Sequence, residues 1–299
     1  MTNNSPETPQ DRRNEYREFD PTVIGEFIGS REIAASERIS TGKSNTNFRL
    51  DLNDGQRVVV RLYSENAVSS PAREKYLSGL IGDLVPVPEM LAHSDDWAVF
   101  EFIEGDLLAH QPEHAAEAAG VIARLSQIRF DSVGWITESG DIAPFDFGDD
   151  YFGLMLEKQE VRNWLGPDRL QVLSTILANE KARLAEINSQ PSLTHGDFNP
   201  TNVLIRDGAV SAVLDWEWSH AGTAYMDIGN LLRNIDPQFH ESVRQGLVEI
   251  GFDLPGDWKK RAALIDVGSH LEFLTSSRNE DFKRSRVELI DSFIKMFRN

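Results

Sequence analysis

The patterning of this chain predicts an α+β fold with a small antiparallel-sheet N-terminal lobe and a mainly helical C-terminal lobe. Two observations carry that expectation. Short apolar-alternating runs dominate residues 23–103, whereas beyond Glu104-Gly105-Asp106 apolar residues recur at helical spacing. At 299 residues the chain can bury a sizeable core, as one large or two ordinary domains. The expected organisation is a disordered lead-in at 1–20, an N-terminal lobe at 21–103 and a C-terminal lobe at 104–299.

The polar, proline-containing residues 1–14 offer too little apolar surface to offset the entropy of ordering them, hence the lead-in. Phe48-Arg49-Leu50-Asp51-Leu52 alternates with period two and is turned by Asp54-Gly55 into Val58-Val59-Val60, and Trp97 to Ile103 supplies a further strand. Pro112 suits the first turn of a helix, on which Ala115, Ala119, Ile122, Leu125 and Ile128 recur. Helices also fit 169–188, where Leu170, Leu173, Ile176 and Leu177 begin an apolar stripe, and 259–278 and 281–297. Val203-Leu204-Ile205 and Ala209 to Leu214 flank Asp207-Gly208, a hairpin signal that returns Asp215 to the side of Asn202.

The chemistry concentrates in His195-Gly196-Asp197-Phe198-Asn199-Pro200-Thr201-Asn202 and, after that hairpin, Asp215-Trp216-Glu217. Asp197 and Asn202 have the D-x-x-x-x-N spacing of a kinase catalytic loop, with the Asp taking a hydroxyl proton and the Asn holding metal. Asp215 stands where a second metal-binding carboxylate would come. Two hard oxygen ligands suit magnesium, which keeps waters and substrate phosphates around it. ATP-dependent phosphoryl transfer is therefore the expected reaction. A hydrolytic metal site on His195 and Asp197 lacks a second histidine at i+4. Gly42-Lys43-Ser44 is not a P-loop, because Glu37 stands where the first glycine belongs. Asp146-Phe147-Gly148 spells a kinase metal motif but precedes the catalytic loop, so the match is read as accidental.

The segment 193–233, from Leu-Thr-His-Gly-Asp-Phe-Asn-Pro-Thr-Asn through Val-Leu-Asp-Trp-Glu-Trp to Tyr-Met-Asp-Ile-Gly-Asn-Leu-Leu, resembles the aminoglycoside phosphotransferase and choline kinase family. That resemblance implies a two-lobed, protein-kinase-like fold and phosphorylation of small-molecule hydroxyls with ATP and Mg2+. It matches Asp197 to the catalytic base, Asn202 and Asp215 to the metal ligands, and Asp227 to an aspartate that braces the catalytic loop. Arg61 takes the place of the phosphate-contacting lysine and Glu74 that of its partner, the arginine keeping the charge but offering a planar fork. Ser44 and Asn45 fall in the loop expected to cover the phosphates, and the adenine is expected near backbone groups of Glu101 and Ile103, making 21–103 the nucleotide-binding lobe. A protein kinase fits less well, since Gly196 stands where arginine is common and no Ala-Pro-Glu follows Asp215. A non-catalytic nucleotide-binding module is the alternative of a different class.

A formal net charge of -18, from 48 acidic and 30 basic residues, lacks the basic footprint of a nucleic-acid binder and suits a cationic acceptor such as an aminoglycoside or amino alcohol. Aromatics beside carboxylates at 145–152 and in His270-Leu271-Glu272-Phe273 could cradle an amine. The absence of cysteine excludes disulfides and thiolate metal sites, and no apolar run reaches the length of a membrane span. A cytoplasmic protein is expected.

Overall fold

The computed structural model describes residues 14–40, 44–65, 67–148 and 150–298. The chain divides into two compact units. The first comprises Met1–Gln111, Thr137–Asp141 and Thr201–Trp218, the second Pro112–Ile136, Ile142–Pro200 and Ser219–Asn299. None of the described helices is long and apolar enough to cross a membrane.

In the first unit a short helix α1 (Gly25–Ile28) precedes a five-stranded sheet of order β1-β2-β3-β5-β4, from β1 (Ile33–Ile39), β2 (Thr46–Leu52), β3 (Arg57–Leu62), β4 (Met90–His93) and β5 (Trp97–Glu101). Every neighbouring pair is antiparallel. Period two decides what each face of β3 carries. Val58, Val60 and Leu62 are buried with Ile24, Leu50, Leu52 and Val99 in one apolar cluster, and Arg61 points to the opposite face. A one-residue slip would drive Arg61 into that cluster, so burial itself fixes the register.

Helix α2 (Pro71–Ile81) starts where Ser70 accepts a hydrogen bond from the Arg73 backbone N–H at 3.1 Å and Pro71 presets the first turn. Residues 1–13 of the expected lead-in lie outside the described residues. Residues 14–20 are not loose: Asn14 donates to the Ser44 carbonyl at 3.1 Å and to Ser64 Oγ at 2.7 Å, and Arg17 pairs with Asp96 at 2.6 Å. Polar side chains fasten this segment, which is why apolar content misjudged it.

A second, three-stranded sheet has the order β11-β10-β6, from β6 (Asp106–Leu107), β10 (Val203–Arg206) and β11 (Ala209–Val213). Its hairpin turns through Asp207 (φ 53°) and Gly208 (φ 79°), two successive left-handed residues that match strand twist. Val203 pairs with Val213, and the Leu214 N–H donates to the Asn202 carbonyl at 2.8 Å. Asp215 thus returns beside Asn202, as the sequence predicts.

The second unit holds two strand pairs, β7 (Trp135–Ile136) with β8 (Ile142–Ala143) and β9 (Ser192–Thr194) with β12 (His220–Gly222), and its helices: α3 (Ala115–Leu125), α4 (Tyr151–Glu157), α5 (Gln159–Asn179), α6 (Lys181–Ile187), α7 (Ala224–Asn234), α8 (His240–Glu249), α9 (Trp258–Thr275) and α10 (Glu280–Arg298). The single helix expected at 169–188 is two. α5 begins earlier, kinks at Gly166 (φ 68°) ahead of Pro167, and gives way at Glu180 to α6. The apolar stripe runs through both helices, so periodicity did not mark the break.

Helices α3 and α8 approach closely at Gly246, where a Cβ would stand 2.0 Å from the Ala116 carbonyl oxygen. Gly246→Ala must push two backbones apart and should lower stability by about 1–3 kcal/mol. An unchanged melting temperature would contradict this packing.

Candidate active site

The described residues contain the two halves of the predicted chemistry in different units: Asp197 in the second, and Asn202, Asp215, Arg61, Glu74, Ser44, Asn45, Glu101 and Ile103 in the first.

The loop carrying Asp197 leaves β9 at Thr194 and is held from within the second unit. His195 is fully buried, and its backbone N–H donates to Asp227 Oδ2 at 2.8 Å; the next N–H, of Gly196, donates to Asp227 Oδ1 at 2.9 Å. Asp227 is itself 0% exposed, in the first turn of α7, where the helix dipole favours a carboxylate. Burial pushes its pKa up to about 7, against the opposing pull of those two N–H groups and with a further rise from the Asp197 charge. Gly196 has φ 81°, a left-handed conformation that glycine adopts without strain. The Asp197 side chain is oriented by Asn199, whose Nδ2 donates to Oδ1 at 3.0 Å. Asp227 therefore braces the loop that carries Asp197.

In the first unit Arg61 Nη1 donates to both carboxylate oxygens of Glu74, at 3.0 and 2.9 Å, and Nε donates to Asn47 Oδ1 at 3.2 Å. Burial is the largest single influence and opposes the guanidinium charge, but Glu74, Tyr63, Asp215 and Glu217 together outweigh it, and the pKa of Arg61 is raised. Arg61 is thus a fixed cation, with Asp215 among the charges that act on it. Asp215 sits at φ 63°, a left-handed conformation that an aspartate adopts only at some cost, and it follows directly on the hairpin strand.

The sequence does not single out Glu217, yet it joins this region. It is 5% exposed and its Oε1 accepts from Ser44 Oγ at 2.8 Å and from Trp218 Nε1 at 3.0 Å, while Oε2 accepts from Asn45 Nδ2 at 3.3 Å. Its carbonyl accepts from Arg73 at 3.0 Å. One carboxylate therefore ties the loop of Ser44 and Asn45 to the segment of Asp215. Gly42 and Lys43 of that loop lie outside the described residues. A phosphate that recruited Ser44 Oγ would have to exchange with Glu217. At the end of β5 the Glu101 N–H is given to the Glu89 carbonyl at 2.9 Å, and its side chain accepts from the Glu89 N–H at 2.9 Å.

Asn202 and Asp215 offer an amide and a carboxylate oxygen at neighbouring strand ends. Among the described residues no three His, Cys, Asp or Glu side chains gather as a metal cage. Hard oxygens of that number fit magnesium completed by water and phosphate oxygens.

Residues 36–264 match the family described as phosphotransferase enzyme family. Among curated proteins none matches the chain. The solved structures that resemble it include the macrolide 2'-phosphotransferase of Brachybacterium faecium, with TM-score 0.64, 13% identity, and 90% of this chain and 97% of that chain covered. An ADP-bound aminoglycoside phosphotransferase APH(2'')-Ib gives TM-score 0.65 and 20% identity, covering 93% of this chain and 99% of that one. The complex of APH(2'')-IIa with gentamicin gives TM-score 0.67 and 20% identity, covering 94% and 99%. At these identities the likeness shows the fold, the protein-kinase-like α+β fold that the sequence predicts.

Asp227 holds its proton more tightly folded than unfolded, because its folded pKa of about 7 exceeds the ordinary 3.8. Between about pH 4 and about pH 7 the folded chain binds more protons at this residue, so its contribution to stability falls as pH rises through that window, by up to ~4 kcal/mol at ~1.4 kcal/mol per pH unit. Denaturant melts of the wild type and Asp227→Asn should show the wild type's advantage shrinking from about pH 4 to about pH 7. A difference independent of pH would contradict the buried state of this carboxyl.

Proposed function

The chain belongs to the phosphotransferase enzyme family, and on that footing we propose that it moves the γ-phosphoryl group of ATP, with magnesium, to a hydroxyl of a small molecule. The observation that carries this reading is the clamping of the Asp197 loop: Asp227 takes the His195 and Gly196 N–H groups, leaving Asp197 on a fixed turn five residues ahead of Asn202.

Asp197 orients the acceptor hydroxyl and accepts its proton as the oxygen attacks the γ-phosphorus. The new O–P bond forms in line with the bond to ADP that breaks. Asn202 and Asp215 would hold magnesium, which supplies charge neutralisation at the phosphates. Arg61, fixed by Glu74, steadies phosphate oxygens, and backbone groups of Glu101 and Ile103 receive the adenine. Ser44 and Asn45 contact phosphate once Glu217 releases them. Positioning and charge account for most of the rate effect, because the transferred group needs little covalent help. The ADP-bound and gentamicin-bound relatives support a nucleotide and a hydroxylated small molecule as the two substrates.

Asp197→Ala should lower turnover on the order of a hundredfold or more, as for loss of a positioned base, while nucleotide titration shows unchanged MgATP affinity. Asp215→Ala should weaken the magnesium-dependent part of nucleotide binding as well. Full turnover in Asp197→Ala, or unaltered magnesium dependence in Asp215→Ala, would sink the assignment of roles.

A further inference from the structure

Six of the twelve described arginines of the second unit pair with a carboxylate: Arg169 with Asp291, Arg183 with Glu180, Arg233 with Asp266, Arg244 with Glu241, Arg261 with Asp257 and Arg284 with Glu280. Arg233, in the last turn of α7, Arg278, after α9, and Arg286, in α10, converge on two rings. Phe273 and Phe282 meet edge to face at 5.4 Å. The guanidinium carbons of Arg233, Arg278 and Arg286 lie 5.6, 5.7 and 5.9 Å from the Phe273 centroid. Arg278 and Arg286 also lie 4.4 and 4.5 Å from that of Phe282.

One carboxylate, Asp266, serves this group, and it is paired with Arg233. Among the described residues neither Arg278 nor Arg286 forms an ion pair, and the Arg286 fork meets only the Ser285 hydroxyl, at 3.3 and 3.2 Å. Burial and then the charge of Arg233 bring the pKa of Arg286 down to about 10, with Asp266 opposing and Arg278 adding to the fall. Mutual repulsion of half-buried cations is the cost of this arrangement, only partly offset by ring contacts.

His270 adds a second, independent sign. It is 5% exposed, its Nε2 stands 3.3 Å from Asp266 Oδ2, and its buried Nδ1 has no hydrogen-bond partner among the described residues. Burial, then Arg233 and Arg286, holds its pKa well below the ordinary value. A neutral imidazole that donates through Nε2 to Asp266 presents a bare lone pair at Nδ1, which ordinarily finds a donor.

Two unneutralised guanidinium forks on an aromatic floor match the planar, multi-acceptor geometry of an oxyanion. We propose that Arg278 and Arg286, backed by Arg233 and His270, form a binding site for the oxyanion group, carboxylate or phosphate, of a small molecule whose neighbouring O–H or N–H donates to His270 Nδ1. The cation–π contacts hold both forks before the ligand arrives, so little side-chain entropy remains to be lost on binding. α7 connects this site to the catalytic loop: Asp227 and Arg233 are six residues apart on it, ~9 Å along the axis. The site does not depend on phosphoryl transfer, and its test reads binding without turnover.

The test follows the arginine side-chain N–H resonances of the isotope-labelled full chain during titration with inorganic phosphate and, separately, with glycolate. Assignment comes from Arg278→Gln and Arg286→Lys. Saturable shifts of both resonances with at least one probe are expected, with the remaining resonance losing roughly tenfold in affinity in either variant, as for loss of a charge-assisted contact. Arg284→Ala, which removes an exposed partner of Glu280, should leave the titration unchanged. A response to phosphate alone assigns a phosphorylated ligand, and a response to glycolate alone a carboxylic acid. Absence of a saturable shift at Arg278 and Arg286 with both probes, or an affinity unaffected by either substitution, would overturn the proposal. Arg286→Lys keeps the charge and the buried stem, so the folded state is retained for comparison.

Discussion

A single buried carboxylate sets the loop that carries Asp197. Asp227 has no contact with solvent, and what keeps it tolerable is the pair of consecutive backbone N–H groups from His195 and Gly196, one to each oxygen. The arrangement works in both directions. Without Asp227 two buried donors would be left unsatisfied, and without the loop a carboxylate would be left bare, each a cost of kilocalories per group. The route that delivers Asp227 is short: β12 pairs with β9, Thr223 caps α7 by accepting from the Tyr225 N–H at 3.3 Å, and the carboxylate follows in the first turn. The strand pair and the helix thereby fix where the turn at Gly196 presents Asp197.

The first unit solves a related problem with two more buried carboxylates. Glu74 compensates Arg61 on the face of β3 that the apolar cluster does not use, an ion pair between 14% and 6% exposed side chains. Such a pair contributes less to net stability than its Coulomb energy suggests, because both ions lose water, but removing either partner leaves a stranded charge. Its evident product is a cation that cannot wander. Glu217 does the same for position, joining the Ser44 loop to the strand end that carries Asp215. Each carboxylate is held by hydrogen bonds that specify geometry, which is what phosphoryl transfer asks of a protein.

Much of this was legible because the information is local. The D-x-x-x-x-N spacing, the Asp-Gly turn that returns Asp215 to Asn202, the Ser-Pro start of α2 and the alternation of β3 are all read within a few residues, and burial on one face enforces them. Glu217 escaped notice because its partners, Ser44 and Asn45, are separated from it by 173 and 172 positions, and no pattern in either segment announces the meeting. The arginines on Phe273 and Phe282 escaped for the same reason, since α7, α9 and α10 are far apart in sequence and none alone announces their meeting. Residues 14–20 show a different limit: their order rests on polar contacts to Ser44, Ser64, Thr46 and Asp96, and apolar content is blind to those. The net charge of -18 says nothing of the local cluster in which Arg278 and Arg286 stand on Phe273 and Phe282 without an ion pair among the described residues. Net charge averages over the surface; recognition is decided by a few groups.

The most direct test of the central claim is to incubate the protein with MgATP and a panel of hydroxylated amines, sugars and hydroxy acids, and to read each candidate by mass spectrometry for the gain of one phosphoryl group. The account predicts a phosphorylated acceptor formed in step with ADP and abolished by chelating magnesium. ADP release with no acceptor gaining phosphate, or acceptor phosphorylation that survives removal of the metal, would contradict it.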